Sequence, residues 1–196
     1  MAKKSTGFTI IELIITLALT ILTLGVIYTF FFSSNKTIST TELSLELQSE
    51  AEVIQKELIE FSTQATEIVL INTSKSESIN YKALNTEGKL DITSLQIKSY
   101  DDASSSDVLY NLKLVNKELK IQDKNGNNIK ILSKNVKAFK IRPLDINMVG
   151  SSVVDKEKAN FKDSPGVEFT VDLETVKGYS KVKYTARAIA KFRNKE

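Results

Sequence analysis

The sequence predicts an α+β protein in which one long N-terminal helix is followed by an antiparallel sheet. Three observations lead there. From Phe8 to Phe32 the chain is apolar with a single charge, Glu12, and the next charged residue is Lys36. A series of apolar residues at steps of three and four then continues past the apolar run. After about residue 67 the period changes to two, in short segments separated by turn residues.

Whole-chain composition hides this division. Of 196 residues, 41% are hydrophobic and 26% charged, with net charge +3, which describes one globular domain plus an appendage. No Cys is present, so there is no disulfide framework and no thiol chemistry. No His is present either, which removes Ser-His and Cys-His catalysis and the commonest metal ligand. The composition predicts a non-enzymatic protein with no metal and no cofactor.

Residues 8–32 as a helix would rise about 37 Å, enough to cross a hydrocarbon layer of ~30 Å. Lys3 and Lys4 precede them, and the positive-inside tendency places that end in the cytoplasm and residues 36–196 outside. Glu12 is the anomaly, because an ionised carboxylate within a bilayer costs at least ~2.5 kcal/mol and calls for a partner. A cleaved secretory signal would need a small-residue site after a shorter apolar core, where this chain has Tyr28-Thr29-Phe30-Phe31-Phe32. A plain membrane anchor leaves the acid unexplained.

The stretch Lys3-Lys4-Ser5-Thr6-Gly7-Phe8-Thr9-Ile10-Ile11-Glu12-Leu13 resembles the prepilin signature of type IV pilins and type II secretion pseudopilins. The resemblance implies a leader, Met1–Gly7, whose basic residues are Lys3 and Lys4. It implies cleavage between Gly7 and Phe8 by a membrane prepilin peptidase, with N-methylation of Phe8. It further implies that Glu12 meets the Phe8 ammonium of a neighbouring subunit, so that two charges costly in lipid are tolerated as a pair and set register. Before assembly the partner is membrane lipid; afterwards the partners are other pilin or pseudopilin helices, in a filament on the cell surface.

Leu43, Leu47, Ala51, Ile54, Leu58, Phe61, Ala65 and Ile68 extend the helical period, and no Pro or Gly occurs from Val26 through Glu87. A helix from Phe8 to about Ala65 is expected, with residues 33–66 as an amphipathic half that packs on the domain at 67–196. Ser33-Ser34-Asn35 is a point where it could bend. Many members of the resembled family carry a membrane-half Pro that lets the helix melt; this chain has only Gly25 and nearby Thr residues there.

Strands are expected at Glu67–Ile71, Leu95–Tyr100, Val108–Val115, Glu118–Gln122, Ile129–Leu132 and Val136–Arg142. Turns are expected at Asn116-Lys117 and at Lys124-Asn125-Gly126-Asn127. The clearest unit is a hairpin of Val167–Glu174 and Lys181–Ala188, joined through Lys177–Ser180. Its register pairs Leu173 with Tyr184, Phe169 with Ala188, and Glu174 with Lys183 on the wet face. The ending Tyr184…Phe192-Arg193-Asn194 is also similar to W-type minor pilins and J-type minor pseudopilins, which start and cap filaments.

Lys181, Lys183, Arg187, Lys191, Arg193 and Lys195 form a basic stripe on the last strand, partly neutralised by Glu168, Asp172 and Glu174. It reads first as a solvated face, and second as a DNA-binding surface with salt-sensitive phosphate contacts. Asp123–Asn127 reads as a turn rather than a calcium loop, and Asp101–Asp107 as a flexible loop. The alternative to a filament subunit is a membrane-anchored extracellular binding module, an adhesin or competence DNA receptor, that does not polymerise.

Overall fold

The computed structural model describes residues 7–73, 88–101, 106–144, 148–149, 152–153, 161 and 164–192. One helix, α1, runs unbroken from Ile10 to Thr63. Its 54 residues span about 81 Å. It passes through Gly25 and through Ser33-Ser34-Asn35 without interruption. The expected start at Phe8 moves to Ile10 because Thr9 is extended (φ −75°, ψ 151°) and caps the helix. The expected end near Ala65 moves back to Thr63, where Gln64 closes the last turn.

That second correction has a physical cause. Ala65 and Ile68 continue the apolar spacing but belong to strand β1 (Ala65–Asn72). Two register shifts, between Ala65 and Glu67 and between Ile68 and Leu70, leave Ala65, Ile68 and Ile71 buried three residues apart. Bulges insert an extra residue on one strand. Here they make a strand imitate the helical period.

The remaining strands are β2 (Leu90–Asp91), β3 (Ser94–Asp101), β4 (Ser106–Val115), β5 (Glu118–Gln122), β6 (Asn128–Ser133) and β7 (Val136–Pro143). After them come β8 (Met148–Val149), β9 (Ser152–Val153), β10 (Gly166–Lys177) and β11 (Ser180–Lys191). They form two main antiparallel sheets rather than one, ordered β1-β3-β4-β5-β6 and β11-β10-β7-β2, with β8-β9 a separate pair. Of the segment Asp101–Asp107, expected as a loop, Asp101, Ser106 and Asp107 belong to the paired strands β3 and β4, and residues 102–105 lie outside the described residues.

The chain leaves the first sheet for the second between Ser133 and Val136. Glu50 of α1 holds that corner, accepting from the Lys134 N–H at 3.3 Å and the Asn135 side-chain amide at 2.9 Å. Both sheets and the second half of α1 share one core, in which Leu47, Ala51, Ile54 and Leu58 meet Phe139, Phe169, Val171 and Leu173. The helix packs chiefly along β11. The inward residues of that strand next to it include Ala186, Ala188 and Ala190, whose small side chains let a helix lie close. Phe61 and Tyr110 meet edge to face at 5.2 Å and tie the end of the helix to the first sheet.

The β10–β11 hairpin has the expected register, with Leu173 opposite Tyr184, Phe169 opposite Ala188 and Glu174 opposite Lys183. Its outer face differs from expectation. Glu168 and Thr170 are buried, at 5% and 3% exposure. Glu168 pairs with Arg142 of the neighbouring strand β7, not with the basic stripe. A central strand flanked on both sides can have its outward acid covered by a long side chain from next door, which alternation alone does not reveal.

Candidate functional site

The site of interest begins where the helix begins. Gly7, Phe8 and Thr9 have no regular structure, and Phe8 is 84% exposed. A Cβ added at Gly7 would meet nothing within 4 Å. The Gly7–Phe8 peptide bond therefore lies in open, non-helical chain, one residue ahead of the cap. Lys3 and Lys4 lie outside the described residues.

Glu12 has a partner within its own chain that the sequence reading missed. Its Oε2 accepts from the Thr9 backbone N–H at 2.8 Å and from the Thr9 hydroxyl at 2.9 Å. The Glu12 N–H donates back to Thr9 Oγ1 at 3.3 Å. This is a capping box, in which a Thr and an acid three residues later satisfy two orphan donors of the first turn. The signal was present as Thr9-Ile10-Ile11-Glu12 ahead of an apolar run. Its bonds all go to Oε2, and Oε1 takes no hydrogen bond from a described residue. The carboxylate is fixed at the helix tip with one oxygen still open.

Cleavage after Gly7 would leave this box intact, since every atom of it lies beyond Phe8. It would add an ammonium at Phe8, at the end of the helix that already carries the positive pole of the macrodipole. An acid at the first turn opposes both charges. In lipid, where neither is hydrated, that opposition matters most.

Large apolar side chains from Phe8 to Ile38 stay exposed, and among them the Phe32 ring meets that of Tyr179. The helix is long and apolar enough to cross a membrane. Its hydroxyls are satisfied internally: Thr16 donates to the Glu12 and Leu13 carbonyls at 2.9 Å, Thr20 to Thr16 at 2.7 Å, Thr23 to Leu19 at 2.8 Å, and Thr29 to Gly25. Such back-bonding removes the cost of a free hydroxyl in hydrocarbon.

The basic stripe is divided by its surroundings. Lys181, Lys183, Arg187 and Lys191 all point outward from β11, while Arg193 and Lys195 lie outside the described residues. Lys181 and Lys183 reach Glu174 at 3.2 and 3.8 Å, and Lys137 reaches the same carboxylate at 3.3 Å. The hydrogen bond from Lys181 is the main cause that holds the Glu174 carboxyl below its ordinary range. Asp172 is engaged instead by Lys140 at 2.9 Å and the Thr185 hydroxyl at 2.8 Å. Of the three acids expected to neutralise the stripe, Glu174 is the one that does so. Asp123 binds its own turn, accepting from the N–H groups of Asn125 and Asn127 and from the Asn127 amide. Among the described residues no group of three or more acids is placed to hold a metal ion.

No family model, no curated protein and no solved structure matches the chain. What is defined is a class of architecture: a membrane-length helix continuous with the core helix of an antiparallel α+β domain.

Proposed function

We propose that the protein is a structural subunit, of minor pilin or pseudopilin type, of a type IV pilus or related secretion filament. A prepilin peptidase removes residues 1–7 and methylates Phe8. Until assembly the subunit is a single-pass membrane protein, with its N-terminus cytoplasmic and its sheets outside. The observation that carries the reading is the juxtaposition at the helix start of an open Gly7–Phe8 bond and a carboxylate with one oxygen uncommitted, at the head of an exposed apolar helix.

The helix outside the membrane span supports the same reading. Ile38, Leu45, Val53 and Ile59 are exposed, and helical geometry puts them within ~60° of the line opposite the buried stripe. Glu42, Glu52, Lys56 and Glu60 lie among them. A filament places such helix faces side by side, giving those apolar groups and charges partners.

Two variants separate the charge of Glu12 from its capping role. Glu12→Gln keeps a capping-box side chain but removes the charge; Thr9→Ala removes the cap and keeps the charge. Glu12→Gln should insert in the membrane yet be missing from sheared filaments, whereas Thr9→Ala should still be incorporated. Normal incorporation of Glu12→Gln would refute the ion-pair role.

A further inference from the structure

We propose that the tip of the β10–β11 hairpin is a second membrane contact, seated among the phosphate headgroups of the outer membrane surface and fixing the tilt of the sheets before assembly. The inference rests on the membrane-spanning part of the reading above and goes beyond it. Phe32 is the last residue of the apolar run, so it marks the edge of the hydrocarbon layer. The Tyr179 ring meets the Phe32 ring edge to face at 5.9 Å, which puts the tip at the same depth.

The tip is built for that position. Gly178 at φ 57° opens a tight two-residue turn that carries Tyr179 to its apex. Tyr179 is 85% exposed and Val176 61%. The Ser180 hydroxyl holds the strand against Thr40 of the helix at 3.1 Å. Residues 175–180 contain no acid.

Lys36 and Lys177 line one cleft of about 340 Å³ with Phe32, Asn35, Ser39 and Tyr179. Neither lysine holds an ion pair with a described residue. Lys36 stands about 6 Å beyond Phe32 along the helix, within the headgroup layer. An amphipathic ring flanked by lysines is what that layer favours: tyrosine sits at headgroup level, and lysines attract anionic lipid. Tyr28, Phe30 and Phe31 add aromatic rings at the same end of the span.

The chain contains no Trp, so one introduced indole reports one place. Tyr179→Trp, Ile129→Trp and Leu19→Trp are each reconstituted as the full chain in vesicles of phosphatidylcholine with phosphatidylglycerol. The indole at position 179 should be quenched more by a shallow acyl-chain label than by a deep one, and resist aqueous acrylamide. That at 129, on exposed β6, should be open to acrylamide, and that at 19 should respond to the deep label. Adding Lys36→Ser and Lys177→Ser to Tyr179→Trp should lower lipid quenching, since each lysine favours the seated tip by roughly fivefold.

Position 179 as open to acrylamide as position 129 overturns the inference. So does shielding without lipid quenching that rises with protein density, which would mean that a second copy covers the tip. Failure at position 19 removes the membrane span itself and this contact with it. A deep response at 19 with an open 179 removes the contact alone.

Discussion

Glu12 has one task in the structure, the cap, and a second in the proposed function, and the two call on different oxygens. Oε2 completes the cap with Thr9; the open Oε1 is what an incoming ammonium can reach. The cap would also lower the cost of placing the acid in lipid, because its charge faces the N–H groups and positive pole of its own helix. At the opposite extreme of side-chain freedom is Gly166. A Cβ there would lie 2.3 Å from the Ala190 carbonyl oxygen and 2.9 Å from the Cα of Lys191. Gly166→Ala should cost about 3 kcal/mol by forcing the hairpin strands apart. Thermal unfolding of the full chain in detergent checks this, and an unchanged midpoint would contradict it. Lys117 offers the reverse case. Asn116 and Lys117 turn the β4–β5 hairpin with φ of 51° and 69°, a region that disfavours side chains. Lys117→Gly should raise stability by up to ~1 kcal/mol, and a lowered midpoint would show that its side chain contributes more than its backbone strain costs.

The second half of α1 is an element that joins two sheets. Leu58 is fully buried in the shared core, so Leu58→Ala should cost ~2–5 kcal/mol through lost burial and a cavity. Glu50 acts at the corner where the chain changes sheets. Glu50→Ala leaves the Lys134 N–H and the Asn135 amide without their carboxylate and should cost about 1 kcal/mol. Denaturant unfolding distinguishes the two, the larger loss falling on Leu58.

At this scale the sequence was most informative where the period was clean. The β10–β11 alternation fixed the pairing of Phe169 with Ala188 and of Glu174 with Lys183, since a one-residue slip would turn every buried side chain outward. It was least informative at Ala65 and Ile68, where bulged pairing reproduces a helical spacing. Short β2 carries too few residues for any period to show, and the division into two sheets depends on which strands pair, which local pattern does not encode. At the helix start, the order Gly7-Phe8-Thr9-Ile10-Ile11-Glu12 carries the expected processing site, and the spacing of Thr9 and Glu12 encodes the capping box that the structure shows.

The whole molecule is laced by partly exposed ion pairs whose protonation sets its pH limits. Lys181 and Lys137 hold Glu174 below the ordinary carboxyl value, the Asn127 side chain does so for Asp123, and Lys120 for Glu118. For Asp172 desolvation acts upward, but the hydrogen bonds of Lys140 and Thr185 outweigh it and the net shift is downward. Lowered carboxyls contribute stability that is complete above their unfolded values of 3.8 and 4.5 and is lost as pH falls through the lower folded values. Lys98 is raised chiefly by its hydrogen bond to Asp107, so its contribution is complete below 10.5 and disappears at higher pH. The melting temperature should be level from about pH 6 to 9 and fall modestly below about pH 4, because exposed pairs are individually weak. A maximum in the acid range would contradict that assignment.

The proposed function depends on one covalent event, a cut ahead of Phe8. Mass analysis of the N-terminal peptide from protein purified out of its native membrane reads that event directly. The account predicts a chain starting at N-methylated Phe8. A mature protein that still begins at Met1, or that has been cut beyond Phe32, would contradict it.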